Sequence, residues 1–161
     1  MIKILNKKFK PRIKARIRKN KQILGKNIDS FFSWVKGAKL VELKECNTEE
    51  DPVRPELDNK FRTGYGRKIY GVEYKGEIYA VMCFAYTNQI PKSVDELEKL
   101  STDAFLQSAM RDQSGGQIAI AYTVWSKKKG GGKLIVKEVF KKIKKSNHLN
   151  RLVTLSPLTE M

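Results

Sequence analysis

The chain has 161 residues, 40% hydrophobic and 31% charged, with a formal net charge of +16; this supports one domain with a real core and excludes a disordered chain. No apolar run approaches the roughly 20 residues of a membrane span, no secretory signal is present, and one histidine with two distant cysteines excludes a metal constellation and fits a reducing, cytoplasmic compartment. The cationic excess predicts attraction to polyanions, namely nucleic acid, an anionic membrane surface or a phosphorylated ligand.

Residues 1–26 carry eleven Lys and Arg and no carboxylate. Leu5, Phe9, Ile13 and Ile17 recur every four residues, which predicts a basic amphipathic helix starting near Pro11. Such an arm docks on nucleic acid phosphates, or else packs its stripe on the domain as a solvated helix; a membrane-surface helix or a presequence are the minor readings. Asn27 can cap a second helix, Ile28–Lys36, with Trp34 off its apolar face and Gly37 as its stop. Residues 1–38 are therefore expected to form a basic helical extension ahead of a domain at 39–161.

The alternation in Lys39–Cys46 predicts the first strand of the domain. Residues 47–66 hold Glu49, Glu50 and Asp51 with two prolines, and read as an acidic loop with one helical turn around Pro55–Phe61. Arg62-Thr63-Gly64-Tyr65-Gly66-Arg67 reads either as a substrate-binding loop or as a plain loop entering a strand. Lys68–Tyr74 and Glu77–Tyr86 form a hairpin around Lys75-Gly76. Tyr70, Val72 and Tyr74 share one face of the first strand, and Ile69, Gly71 and Glu73 the other. Glu73, a carboxylate among apolar neighbours, is a candidate general base or a plain salt-bridged surface residue. Cys83 in the second strand reads as a buried free thiol.

Ser93 and Glu96 make a capping box for a helix bearing Val94, Leu97 and Leu100. The long connection 87–116 reads as a lid or acceptor-side element. Gln117–Trp125 is β-branched and aromatic and predicts a strand. The glycine-rich turn Ser126-Lys127-Lys128-Lys129-Gly130-Gly131-Gly132 follows, then a helix from Lys133 to Lys145 with Leu134, Val136, Val139, Phe140 and Ile143 at helical spacing. Glycines at a strand-to-helix turn let a ligand approach the backbone, and free amides at a helix start attract anions. The turn is thus a candidate cradle for a phosphate or pyrophosphate. It is not a Walker turn, because Leu134 follows Gly132-Lys133, and not a dinucleotide fingerprint, because Ile135 stands at the last glycine position. Ser146–Asn150, including His148, reads as a helix stop, and Arg151–Ser156 as a buried strand that completes a βαβ unit with parallel strands.

The spacing Lys127-Lys128-Lys129-Gly130-Gly131-Gly132 resembles the acyl-CoA-binding turn of the GNAT superfamily of N-acyltransferases, with Lys127 where that family usually has Arg or Gln. Thr154-Leu155-Ser156-Pro157 also resembles a segment of malonyl-CoA decarboxylases, whose catalytic domain is GNAT-like. Short reading frames of this kind resemble phage-encoded members, one class of which modifies DNA bases. The resemblance implies an α/β (α+β) fold with a mixed, mainly antiparallel sheet and one splayed parallel strand pair. It implies acetyl-CoA or another acyl-CoA as cosubstrate, held by Val124, Trp125, Ser126, Lys127, Lys128, Lys129, Gly130, Gly131, Gly132 and Lys133. A backbone amide near Val124 or Trp125 is the implied oxyanion donor, and Glu73 through water, or Tyr86, the implied base. The family continues with a helix and two strands that hold the acceptor. Here that half is expected from further chain, from a second copy or partner chain, or from the N-terminal extension. A basic nucleic-acid-binding protein whose lysines and glycine turn grip phosphates, without catalysis, is the alternative function, and a partial domain acting as a scaffold is the third.

Overall fold

Two alternating apolar runs meet at Lys75-Gly76, and both turn residues take positive φ, 51° and 81°. That is the two-residue connection whose twist matches a hairpin. The hairpin it closes pairs β3, Lys68–Tyr74, with β4, Glu77–Thr87, and forms the middle of the sheet. A computed structural model describes residues 2–4, 36–108, 115–146 and 148–155. The predicted helices at 11–24 and 28–36, with Trp34, lie almost wholly outside the described residues.

The other strands are β1, Ile2–Ile4, β2, Lys39–Leu43, β5, Ile118–Ser126, and β6, Arg151–Leu155. They form one sheet in the order β1-β6-β5-β4-β3-β2. Every pairing is antiparallel except β5 with β6. The mixed, mainly antiparallel architecture expected from the sequence is therefore present. Sequence reading gave no strand before residue 39; β1 pairs with β6 from Ile2–Leu155 to Ile4–Val153 and places the start of the chain within the sheet. The parallel ladder joins Ile118–Ala121 to Arg151–Thr154. Beyond it, Tyr122–Ser126 have no β6 partner among the described residues.

Each face of the sheet carries its own apolar cluster, because side chains alternate along a strand. Tyr70, Val72, Met82, Phe84, Tyr86, Ala119 and Ala121 face α3, Gly131–Lys145, which buries Leu134, Ile135, Val139 and Ile143 against them. Burial of each such aliphatic side chain contributes about 1.5–3 kcal/mol. Ile69, Val81, Cys83, Ala85, Ile118, Ile120, Tyr122 and Val153 form the opposite face. It is covered by Leu97 of α2, Val94–Gln107, and by Phe61 of α1, Asn59–Thr63. Ser93 caps α2 by accepting from the Glu96 amide at 3.1 Å, as its capping sequence predicts. The register of β4 against β5 shifts between Cys83–Thr123 and Phe84–Ala121, so Tyr122 bulges. The bulge turns Tyr122 and Thr123 to the same side: Tyr122 joins the α2-side cluster, and Thr123 hydrogen-bonds Asp51 beneath it. No described helix is long and apolar enough to cross a membrane.

Candidate functional site

The glycine turn starts from a hydroxyl clamp. Ser126 ends β5, and its Oγ donates to the carbonyl of Lys128 at 2.5 Å and accepts from the Lys128 amide at 3.2 Å. The Lys127 amide donates to the Tyr79 carbonyl at 2.7 Å, which ties the turn to β4. Gly130 then takes φ 86°, a left-handed conformation that glycine adopts without penalty, and α3 starts at Gly131, two residues ahead of the predicted Lys133. The Gly131 amide donates to the Lys128 carbonyl at 2.9 Å and the Leu134 amide to Gly130 at 3.0 Å. The amides of Lys129, Gly130, Gly132 and Lys133 have no acceptor among the described residues. They gather where the positive end of the α3 dipole emerges.

The three glycines are not equivalent. A Cβ on Gly131 would collide with Ser126 Oγ, so this glycine serves the packing of helix on strand. A Cβ on Gly132 meets nothing within 4 Å, so its side faces open space. Among the turn lysines, Lys127 pairs with Glu50 at 2.8 Å and Lys128 Nζ lies 5.0 Å from the Tyr79 ring centroid. Lys129 and Lys133 are exposed at the mouth of the turn. Val124 packs on the α3 side and Trp125, 7% exposed, on the α2 side. Both follow the last described β5–β6 pair, Ala121 with Thr154. The residues Val124–Lys133 are therefore one continuous element with free amides and neighbouring cations.

The two candidate proton carriers stand apart from each other. Glu73 is opposite Ile78 near the hairpin turn, and Tyr86 is opposite Ala119 at the other end of β4. Eight residues of strand separate those levels, roughly 26 Å at about 3.3 Å per residue. They cannot serve one acceptor together. Glu73 is partly exposed, 3.8 Å from Lys39 Nζ, as a salt-bridged surface carboxylate would be. Tyr86 is buried beside Phe84, and burial, then Tyr70, pushes its pKa well above 10. At neutral pH this phenol keeps its proton, so the role open to it is donor rather than base.

The loop 47–66 holds what sequence reading missed. Asp51, expected on an acidic surface, is buried and organises a polar hub. Its Oδ1 accepts from the amides of Val53 and Arg54 and from the Thr123 hydroxyl at 2.9, 3.0 and 2.8 Å. Its Oδ2 accepts from Arg62 Nη1 at 2.9 Å. Arg54 Nε donates to the Tyr122 carbonyl at 2.8 Å, fastening the loop to the bulge. Arg67 is held by the Phe61 carbonyl at 2.6 Å and the Ser101 hydroxyl at 2.9 Å, and stacks 4.6 Å from the Phe61 ring centroid. The arginines of the 62–67 segment thus lock α1 and α2 to the sheet, which is the plain-loop reading. The signal available in sequence was Asp51-Pro52-Val53-Arg54, an Asx turn by composition. Next to this hub lies a cleft of about 480 Å³ lined by Cys46, Glu50, Tyr79, Trp125 and Lys127 among others. It adjoins the glycine turn through Trp125 and Lys127. His148 is exposed, its Nδ1 3.1 Å from Ser146 Oγ.

No protein-family model matches the chain, and no curated protein matches it in sequence. Solved structures that share its fold include two malonyl-CoA decarboxylases. One is malonyl-CoA decarboxylase from Agrobacterium vitis, with TM-score 0.59, 17% identity, 91% of this chain covered and 41% of that one. The other is malonyl-CoA decarboxylase from Cupriavidus metallidurans, with TM-score 0.52, 17% identity, 84% of this chain covered and 36% of that one. The chain spans well under half the length of either. The likeness is one of fold, to enzymes named for an acyl-CoA substrate.

Proposed function

We propose that the chain is an acyl-CoA-dependent N-acyltransferase of the GNAT type, transferring an acyl group, acetyl in the first instance, directly from the thioester to an amine. The observation that carries this reading is the turn after β5. Four amides without acceptors, at Lys129, Gly130, Gly132 and Lys133, surround the open side of Gly132 at the helix start. A pyrophosphate offers the charge and the acceptor oxygens those amides lack. The parallel β5–β6 pair leading into the turn supports the reading, because it sets the turn and α3 between two adjacent strands, the arrangement the resemblance implies for an acyl-CoA site. The two neighbours, both named for malonyl-CoA, support an acyl-CoA ligand.

In this reading a backbone amide near Val124 or Trp125 stabilises the oxyanion. Tyr86 is the proton donor, and Glu73 is a base only for an acceptor entering at the turn end of the sheet. The charge of +16 supports an acceptor linked to nucleic acid, approached by the arm 1–26.

A thermal melt with CoA and acetyl-CoA tests the proposal. Binding at a hundred times Kd stabilises by about 2.7 kcal/mol. A rise in Tm is expected, and no shift at millimolar ligand refutes it. The same charge favours a second reading, a nucleic-acid-binding protein without catalysis. It predicts affinity that falls steeply with salt and survives Gly132→Ala. Because β1 is part of the sheet, that test replaces the arm's lysines and arginines between residues 7 and 21 rather than deleting 1–26.

A further inference from the structure

The two cysteines are 37 positions apart in sequence, yet Cys46 packs against the buried cluster that contains Cys83. Cys83 is on β4, wholly buried on the α2 side of the sheet. Cys46 lies in the loop after β2, half-buried, and lines the cleft. β3 stands between β2 and β4, so the sheet ladder does not bring the two together. Asn59, the first residue of α1, holds Cys46 in place. Its Oδ1 accepts from the Cys46 amide at 3.0 Å, and its Nδ2 donates to the Cys46 carbonyl at 3.0 Å. This side chain gives Cys46 both bonds that a strand partner would give, and fixes a loop residue. The Cys46 thiol also reaches Asn59 Oδ1 at 3.5 Å. Behind it, Arg62 Nη1 donates to Cys83 Sγ at 3.5 Å.

The pair is asymmetric. Contact with Cys83 lowers the pKa of Cys46 against the effect of its partial burial, with help from the Arg62 charge. Contact with Cys46 and burial push Cys83 far up. One thiol is accessible from the cleft and the more acidic of the two. The other is enclosed and protonated. This is the division of labour between an attacking and a resolving cysteine.

We propose that Cys46 and Cys83 form a reversible disulfide, with Cys46 as the hydroperoxide-reactive thiol at the cleft and Cys83 as its resolving partner beside Arg62. The Cys46 thiolate attacks one peroxide oxygen. An S–O bond forms, the O–O bond breaks, and the other oxygen leaves as water or an alcohol after taking a proton. The sulfur is oxidised to a sulfenic acid and the peroxide is reduced by two electrons. The Cys83 sulfur then attacks the Cys46 sulfur. The S–S bond forms, the S–O bond breaks, and hydroxide leaves as water with the Cys83 proton. Arg62 stabilises the Cys83 thiolate as that proton departs. A dithiol reductant reverses the bond by exchange.

The full chain, purified in reductant and freed of it, is titrated with hydrogen peroxide. Thiols are counted under denaturing conditions, and the products are read by intact mass and peptide mapping. The expected result is that both thiols are lost together, the mass falls by two hydrogens, Cys46 and Cys83 are recovered in one cross-linked peptide, the chain stays single on a non-reducing gel, and dithiothreitol restores both thiols. In Cys83→Ser, a sulfenic-acid probe is expected on Cys46 with no intrachain cross-link. If that variant does not fold, the wild-type mapping decides alone. Three results overturn the proposal: a gain of one or more oxygens with Cys83 still titratable, a disulfide between two chains, or both thiols intact at peroxide concentrations that oxidise free cysteine.

Discussion

Replacing Asp51 by Asn tests whether the buried hub holds the loop 47–66 under β5. The amide preserves shape and can still accept from the Val53 and Arg54 amides, which bond Oδ1 at 2.9 and 3.0 Å. It loses the negative charge that faces Arg62 at 2.9 Å, where both side chains are 0% exposed. The new NH₂ would also point a donor at a donor. Removing one partner of such a buried pair leaves the other charge uncompensated and costs about 3–5 kcal/mol. For a chain of this size each kcal/mol moves Tm by about 2–4 °C, so the expected fall is roughly 6–20 °C at pH 7. Circular dichroism melts of the two proteins give the difference. The acid limb provides a second readout. Burial pushes the Asp51 pKa up, but the Arg54 and Val53 amides, the Thr123 hydroxyl and Arg62 outweigh it and hold the carboxyl below its ordinary value. Its folded pKa therefore lies below its unfolded one. The stabilisation is full above the unfolded value of about 3.9 and is lost as pH falls through the folded value. The gap between wild type and Asp51→Asn is thus expected to shrink below pH 4. A fall in Tm of less than about 2 °C at pH 7, or a gap that widens toward acid, would refute the hub as the fastening of the loop.

The glycine turn separates two substitutions. Gly131→Ala forces a shift against Ser126 and is expected to cost about 1–3 kcal/mol in denaturant melts, while unchanged stability would remove the packing role. Gly132→Ala places its methyl group in open space, so stability is expected to hold or rise by up to about 1 kcal/mol while the CoA-induced shift in Tm falls. A full CoA shift in that variant sinks the cradle. Glu73→Gln breaks an ion pair of 3.8 Å at a partly exposed site and is expected to change stability by less than about 0.5 kcal/mol. A loss of turnover of about 10²–10⁴-fold in that variant identifies Glu73 as the base, and unchanged turnover removes it. Gly76→Ala, at φ 81°, is expected to cost about 1–2 kcal/mol by urea unfolding, and an unmoved midpoint would contradict the hairpin turn.

The elements that local chemistry dictates were legible. Lys75-Gly76 announces a turn of positive φ, Ser93 announces a cap, and β5, the glycine turn and α3 follow one another within two residues of expectation. What was illegible depends on partners far away in sequence. Asp51 looks like a surface acid until Arg62 and Thr123 are brought to it, and Arg62 and Arg67 look like surface cations until α1 and α2 cover them. A buried carboxylate and a buried guanidinium have the same letters as exposed ones. The candidate site divides in the same way. The glycine turn is local, so Val124–Lys133 was read as a unit. The candidate proton carriers are set by register, and only the pairing shows that Glu73 on β3 and Tyr86 on β4 lie at opposite ends of the hairpin. β1 was missed because three residues carry no periodicity to read.

The pairing of Ile2 with Leu155 has a kinetic side. The two residues are about 150 positions apart, so this contact belongs to the slow, non-local class whose closure entropy must be met before any bond is gained. β1 has nothing to pair with until β6 has been made, and until it arrives the outer edge of β6 is open to strand addition from another chain. Anything fused ahead of Ile2 is carried to that edge and bears on the closing of this non-local pair rather than on the local β3–β4 hairpin.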